Sequence, residues 1–124
     1  MPLVLIALGG AGGAVARYLV DTFVAERLSG AFPWGTLVVN GSGSLALGLL
    51  FALATERAVL PAESRAFLMI GFLGGYTTFS TLMLESWRLL EDGALGLAVL
   101  NLAGSVVVGC VAVFAGLVIG RAIA

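Results

Sequence analysis

The chain has 124 residues, of which 60% are hydrophobic and only 10% charged, with 18 glycines and a formal net charge of −1. A soluble domain carries about 25% charged residues and roughly 7% glycine, so this chain lacks the polar surface that a water-facing fold requires. A bilayer core about 30 Å thick takes roughly 20 apolar residues per helix, and four such helices would use about 80 positions. The expectation is an all-α integral membrane protein, a single four-helix domain over residues 1–124.

The basic residues are Arg17, Arg27, Arg57, Arg65, Arg88 and Arg121. They form no run, so nucleic-acid binding has no electrostatic footprint. The chain has no histidine, and Cys110 stands alone in an apolar run. Thiol–imidazole catalysis, zinc clusters and intrachain disulfides are thereby excluded, and Cys110 reads as a small packing residue. The opening MPLVLIALGGAGGAVA offers Ala14-Val15-Ala16 as a small-residue cleavage site. A signal peptide needs a basic start, and no Lys or Arg precedes Arg17. It reads as a first transmembrane helix.

In chain order, the first apolar segment runs from about Leu3 to Val24, with Arg17 and Asp21 inside it. The second covers about Trp34 to Ala54 and ends in the polar cluster TERAVLPAESR, 55–65. The third covers about Ala66 to Leu84 and trails into Glu85, Arg88, Glu91 and Asp92. The fourth spans about Leu95 to Ile119. Trp34 and Trp87 fall at segment ends, where indoles favour the headgroup region. Arg57, Arg65 and Arg121 lie on one side of the membrane, against Arg27 and Arg88, joined by Arg17 if it sits near its helix end. So even a balance gives the positive-inside rule little to act on. Either orientation is poorly specified or both are used, and a chain inserted both ways would form an antiparallel dimer.

Polar and small residues recur every four positions within each segment: Gly9, Gly13, Arg17, Asp21; Thr36, Asn40, Ser44, Gly48; Thr77, Thr81, Glu85; Asn101, Ser105, Gly109. Residues four apart share a helix face. Such a stripe reads either as a packing seam or as the wall of a narrow solute path. For Gly9, Gly13, Gly48, Gly109 and the Gly116–Gly120 pair, packing is the expectation. For Arg17, Asn40, Thr77, Thr81 and Asn101, both readings stand. Hydroxyls, amides and one guanidinium dominate, and apart from Glu85 no carboxylate lies deep in a span. Donors without acids suit an anion or a neutral polar solute. They speak against a proton-coupled exporter, which needs an embedded acid to titrate.

Residues 71–81 read GFLGGYTTFST. Gly74 and Gly75 followed by Thr77 and Thr78 make a poor helix interior. A break there would expose carbonyl oxygens to a hard cation or N–H groups to an anion, whereas Gly71 and Gly75 alone would serve an unbroken close crossing. Phe79 follows, and the positive edge of its ring suits a small anion. Gly41-Ser42-Gly43-Ser44-Leu45-Ala46 matches a dinucleotide fingerprint, but that fingerprint has meaning only in a strand–turn–helix unit.

The stretches GGAGGAVARY (9–18), GTLVVNGSGSLALG (35–48) and GFLGGYTTFST (71–81) resemble, in order and spacing, the signature stretches of the Fluc/CrcB fluoride channels. The resemblance covers nearly the whole chain. It implies a four-helix channel with a broken third helix, assembled as an antiparallel, dual-topology homodimer in the inner (plasma) membrane. It further implies passive export of fluoride with rejection of chloride, and a structural sodium ion at the dimer centre, held by main-chain carbonyls. Gly74 and Thr77 match the positions that hold the sodium. Asn40 matches the asparagine that donates to fluoride, and Phe79 the first of two pore phenylalanines. Ser80 and Thr81 match the adjoining hydroxyl track, Glu85 an acid further along, Arg17 the arginine near the vestibule, and Ser105 a fourth-helix pore serine. Leu82 stands where the second phenylalanine is found, and Asn101 where a tyrosine is common. No bond is made or broken in such a passage, so no enzyme is implied. The alternatives are a small dual-topology proton-coupled exporter and a non-transporting assembly protein whose stripes are packing seams.

Overall fold

Each of the four apolar segments forms a long helix in the computed structural model, which describes residues 1–123. They are α1 (Pro2–Arg27), α2 (Trp34–Glu56), α3 (Ala62–Glu91) and α4 (Leu95–Ile123), all long and apolar enough to cross a membrane. At about 1.5 Å per residue, even the shortest reaches beyond a hydrocarbon core of roughly 30 Å. The helices continue past the apolar runs into the flanking charged residues. Arg17 therefore lies ten residues inside α1 and not near its end, which leaves Arg57, Arg65 and Arg121 against Arg27 and Arg88 for the two sides.

The helices are not uniform. The last turn of α2, Ala52–Glu56, is π-helical, as is Arg65–Leu73 in α3. Beyond it α-helix runs over Gly74–Tyr76, Thr77 and Thr78 are extended (φ −82°, ψ 154° and φ −147°, ψ 114°), and α-helix resumes over Phe79–Glu91. Among the described residues, a compact core joins Val39 of α2 to Leu73 and Tyr76 of α3, with Ala16, Val20 and Phe72 packed around it. The Tyr76 hydroxyl lies 2.9 Å from Ser42 Oγ, which keeps its polar end satisfied.

Glycine determines how the helices approach. A Cβ at Gly9 or Gly13 would strike the carbonyl oxygens of Phe67 or Phe72, and one at Gly75 the carbonyl of Gly10. These positions seat α1 backbone-to-backbone on the first half of α3. Gly48, Gly116 and Gly120 do the same between α2 and α4. Gly109 differs from the packing expectation: a Cβ there would meet only Ser44 Oγ, at 3.7 Å, so this part of the stripe is not a tight seam. At the helix ends Arg121 closes on Glu56 through two bonds of 2.8 Å, and Arg57 Nη2 donates to the Arg121 carbonyl at 2.7 Å.

These contacts set an expectation for stability. Gly116→Ala forces a methyl against the Leu45 carbonyl and should cost about 1–3 kcal/mol. Gly96→Ala meets nothing within 4 Å and should be neutral or gain up to about 1 kcal/mol from helix propensity. Denaturant unfolding of the two variants in detergent micelles checks the contrast.

Candidate functional site

The site grows out of the extended pair Thr77–Thr78. An interruption inside a membrane frees backbone groups that water cannot reach, so protein must satisfy them. Asn40 of α2 supplies most of what is needed. Its Oδ1 accepts from the Thr78 N–H at 2.8 Å, and its Nδ2 donates to the Thr78 carbonyl at 3.0 Å. Arg17 reaches across from α1, and its Nε donates to the Gly75 carbonyl at 3.2 Å. The Thr78 hydroxyl caps the second half of α3, accepting from the Thr81 N–H while donating to Thr81 Oγ1 at 2.9 Å. That is the ordinary work of an N-cap threonine.

Among the carbonyls ahead of the break, two lose their helical donors to this exchange. In an unbroken helix Gly74 C=O would accept from Thr78 and Thr77 C=O from Thr81. Those two N–H groups are instead spent on Asn40 and on the Thr78 hydroxyl. Gly74 is exposed, and a Cβ added to it would meet nothing within 4 Å.

Asn40, Gly74, Thr77, Thr78, Phe79 and Leu82 line one open cavity of about 330 Å³. Phe79, the first residue after the interruption, is 74% exposed, whereas Leu82 is buried within the protomer. Ser80 is exposed beside Phe79 and lies outside this cavity. Arg17 and Thr81 meet at a smaller, polar cavity of about 20 Å³ with Asp21, Thr36 and Thr78. Arg17 is thus a partner of the interruption.

The remaining candidates lie elsewhere. Glu85 accepts from Thr36 Oγ1 at 2.9 Å through Oε2, and its Oε1 is buried without a partner. It also borders a cavity of about 290 Å³ with Arg88 and Asp92. Ser105 lines a groove of about 440 Å³ with Ser44, Gly109 and Cys110. Asn101 is fully buried, and its Nδ2 donates to Ser86 Oγ at 2.9 Å. Thr78 and Ser86 were not among the expected site residues. A Thr three residues ahead of Thr81 at a helix start is a legible cap, but a serine inside a helix carries no such signal.

The family model for CrcB-like protein, Camphor Resistance (CrcB), matches residues 4–117. Proteins named fluoride-specific ion channel FluC align along nearly the whole chain. That of Magnetococcus marinus is 47% identical over 123 residues, covering 99% of this chain and 100% of its own. That of Agrobacterium fabrum is 50% identical over 120 residues, covering 96% and 95%. The chain belongs to the CrcB family. With four membrane-capable helices and relatives named as channels, it is a multi-pass membrane protein and not an enzyme.

Leu82 and Asn101 are linked within the protomer. Asn101 donates to Ser86, and Ser86 Oγ donates to the Leu82 carbonyl at 2.8 Å. The Asn101 amide thus braces the turn that carries Leu82.

The Asn40–Thr78 pairing predicts a local effect. Asn40→Leu leaves the half-buried Thr78 N–H without a partner, while the Thr78 carbonyl keeps its bond as the N-cap of the resumed helix, and should cost about 1–3 kcal/mol. Hydrogen exchange should then be accelerated at the Thr78 amide and unchanged at Ser86, which a residue-resolved exchange measurement reads directly.

Proposed function

We propose that this chain forms a fluoride-selective channel, two copies pairing in opposite orientations as a dual-topology homodimer in the inner (plasma) membrane and letting fluoride leave the cell passively. The observation that carries the reading is the exposed Phe79 beside the interruption in α3, on a cavity whose lining residues include amide and hydroxyl groups but no carboxylate. The names of the FluC relatives supply the ion.

Fluoride is small and holds its water strongly, so a dry passage must replace hydrogen bonds in kind. Asn40 spends one amide hydrogen on Thr78 and keeps the other. Thr81 accepts from Thr78, which leaves its own hydroxyl hydrogen to give. Ser80 adds a hydroxyl beside the ring of Phe79, whose positive edge attracts an anion. The Arg17 guanidinium raises the local potential for anions from beside the interruption. Dense donors along a narrow path favour fluoride over the larger chloride. Ser105 and Glu85 would meet the ion further along the path.

The reading includes a structural sodium ion between the two copies. The free carbonyls of Gly74 and Thr77 fit it, because a hard cation takes neutral oxygen ligands and these two lack the N–H groups that a continuous helix would give them. Such an ion would fix the two interruptions against one another. The path itself runs past the donors of the chain.

Liposomes holding the purified protein and loaded with fluoride or chloride test the function. Fluoride should leave and chloride should stay, without need of a proton gradient. Equal rates for both ions, or flux that follows a proton gradient, would sink the reading. Phe79→Ile should slow fluoride about 2- to 10-fold, the worth of one aromatic contact, with the crosslinked dimer intact. An unchanged rate would take Phe79 off the path.

A further inference from the structure

Where α1, α2 and the interruption in α3 meet, a cavity of about 20 Å³ is lined by Arg17, Asp21, Thr36, Val39, Thr78 and Thr81. One water needs at least roughly 10–15 Å³ and about two to four polar partners. The cavity therefore has room for one water-sized species and for nothing larger. Which species it takes is decided by the hydrogens around it.

Arg17 and Asp21 stand one turn apart on α1 with opposite charges, a spacing at which side chains ordinarily meet. Among the described residues, however, the side-chain ion pair of the protomer is Arg121–Glu56 alone. The two groups are drawn to different walls. Arg17 Nε donates to the Gly75 carbonyl of α3 at 3.2 Å. Asp21 leans on the first turn of α2, where a Cβ added to Gly35 would overlap its Oδ1. Both side chains border the cavity.

The lining offers two sources of hydrogen and two acceptors. The Arg17 guanidinium only donates, and it keeps N–H groups beyond the one given to Gly75. Thr81 Oγ1 accepts from Thr78, so its own hydrogen is free. The Thr36 hydroxyl hydrogen goes to Glu85, which leaves only its oxygen lone pairs. The Asp21 carboxylate only accepts. A bare anion here would face two acceptors, one of them a carboxylate, and a bare cation would face a guanidinium. A neutral molecule that both donates and accepts matches all four.

We propose that a resident water molecule occupies this cavity, accepting from Arg17 and Thr81 and donating to Asp21 and Thr36. Arg17 and Asp21 then form a water-separated pair. Asp21 is a positioning residue, holding through the water the guanidinium that satisfies Gly75. The bridge ties α1 to α2 and to the resumed half of α3. The water stands independently of fluoride conduction. Only one consequence rests on that reading: between passages the water holds the Thr81 hydrogen that would serve a passing ion.

Crystals of the unaltered protein grown without any halide test the proposal, at a resolution that shows ordered water. They should show one density peak at about 2.7–3.1 Å from both the Arg17 guanidinium and the Asp21 carboxylate. Asp21→Leu, which removes one acceptor, should lose the peak while Arg17 Nε keeps its bond to Gly75. Asp21→Asn, which offers a carbonyl oxygen in place of the carboxylate, should retain it. No peak in the unaltered protein, or a direct Arg17–Asp21 contact in its place, would overturn the proposal. So would a peak that persists in Asp21→Leu. None of these readouts uses ion flux, so a protein that fails to conduct fluoride would leave the result intact.

Discussion

The reciprocal hydrogen bond between the Asn40 side chain and the Thr78 main chain is the interaction on which the site depends. A carboxamide carries one acceptor and a donor group, as a peptide unit does, so Asn40 stands in for a residue of helix. Without it, the Thr78 N–H would lie in a membrane without a partner, and the extended backbone could not persist. The exchange has a direction. By taking the Thr78 N–H, Asn40 strips Gly74 of its helical partner, and by capping Thr81, the Thr78 hydroxyl strips Thr77 of its own. Satisfying one set of groups thus releases another at a chosen place. The restart of the helix at Phe79 then presents that ring at the surface of the protomer.

This chemistry requires close helices. Arg17 reaches the Gly75 carbonyl only because α1 lies against the first half of α3 with glycine on both faces, Gly9 and Gly13 on one and Gly71 and Gly75 on the other. A guanidinium at a carbonyl near a helix end is also well placed with respect to the helix dipole. On the other side of the molecule Gly48, Gly116 and Gly120 bring α4 onto α2. Glycine is abundant in this chain because several helix crossings need it, and only a few of the glycines face open space.

The four spans were legible because composition and segment length decide them almost alone. The residues of the site were legible as stripes, but their partners were not. A four-residue period places Thr36, Asn40, Ser44 and Gly48 on one face of α2 without saying that this face meets Glu85, Thr78, the groove of Ser105 and the backbone of α4 in turn. For GFLGGYTTFST the spacing offered either close packing or a break. In the structure Gly71 and Gly75 pack against α1, and the extended backbone falls two residues later, at Thr77 and Thr78. The two uses occupy different residues of one motif. For Arg17 the stripe left packing and a solute path both open, because its reach across to a carbonyl depends on the crossing geometry. Ser86 gave no sign at all, since a lone serine in a helix most often bonds its own backbone, as this one does.

Two features of the protomer bear jointly on the proposed antiparallel pair. One is the near balance of loop arginines, which gives insertion no strong preferred direction, as a pair of opposite orientations would require. The other is the open cavity at Gly74 and Phe79, where the free carbonyls and an exposed ring lie together on the protomer surface. Lipid tails offer carbonyls nothing, and a single copy would carry that cost unrelieved. A second copy in the opposite orientation brings its own interruption to the same depth, because α3 is interrupted near its middle. Balanced charge makes such a partner available, and the unsatisfied surface gives it a reason to stay.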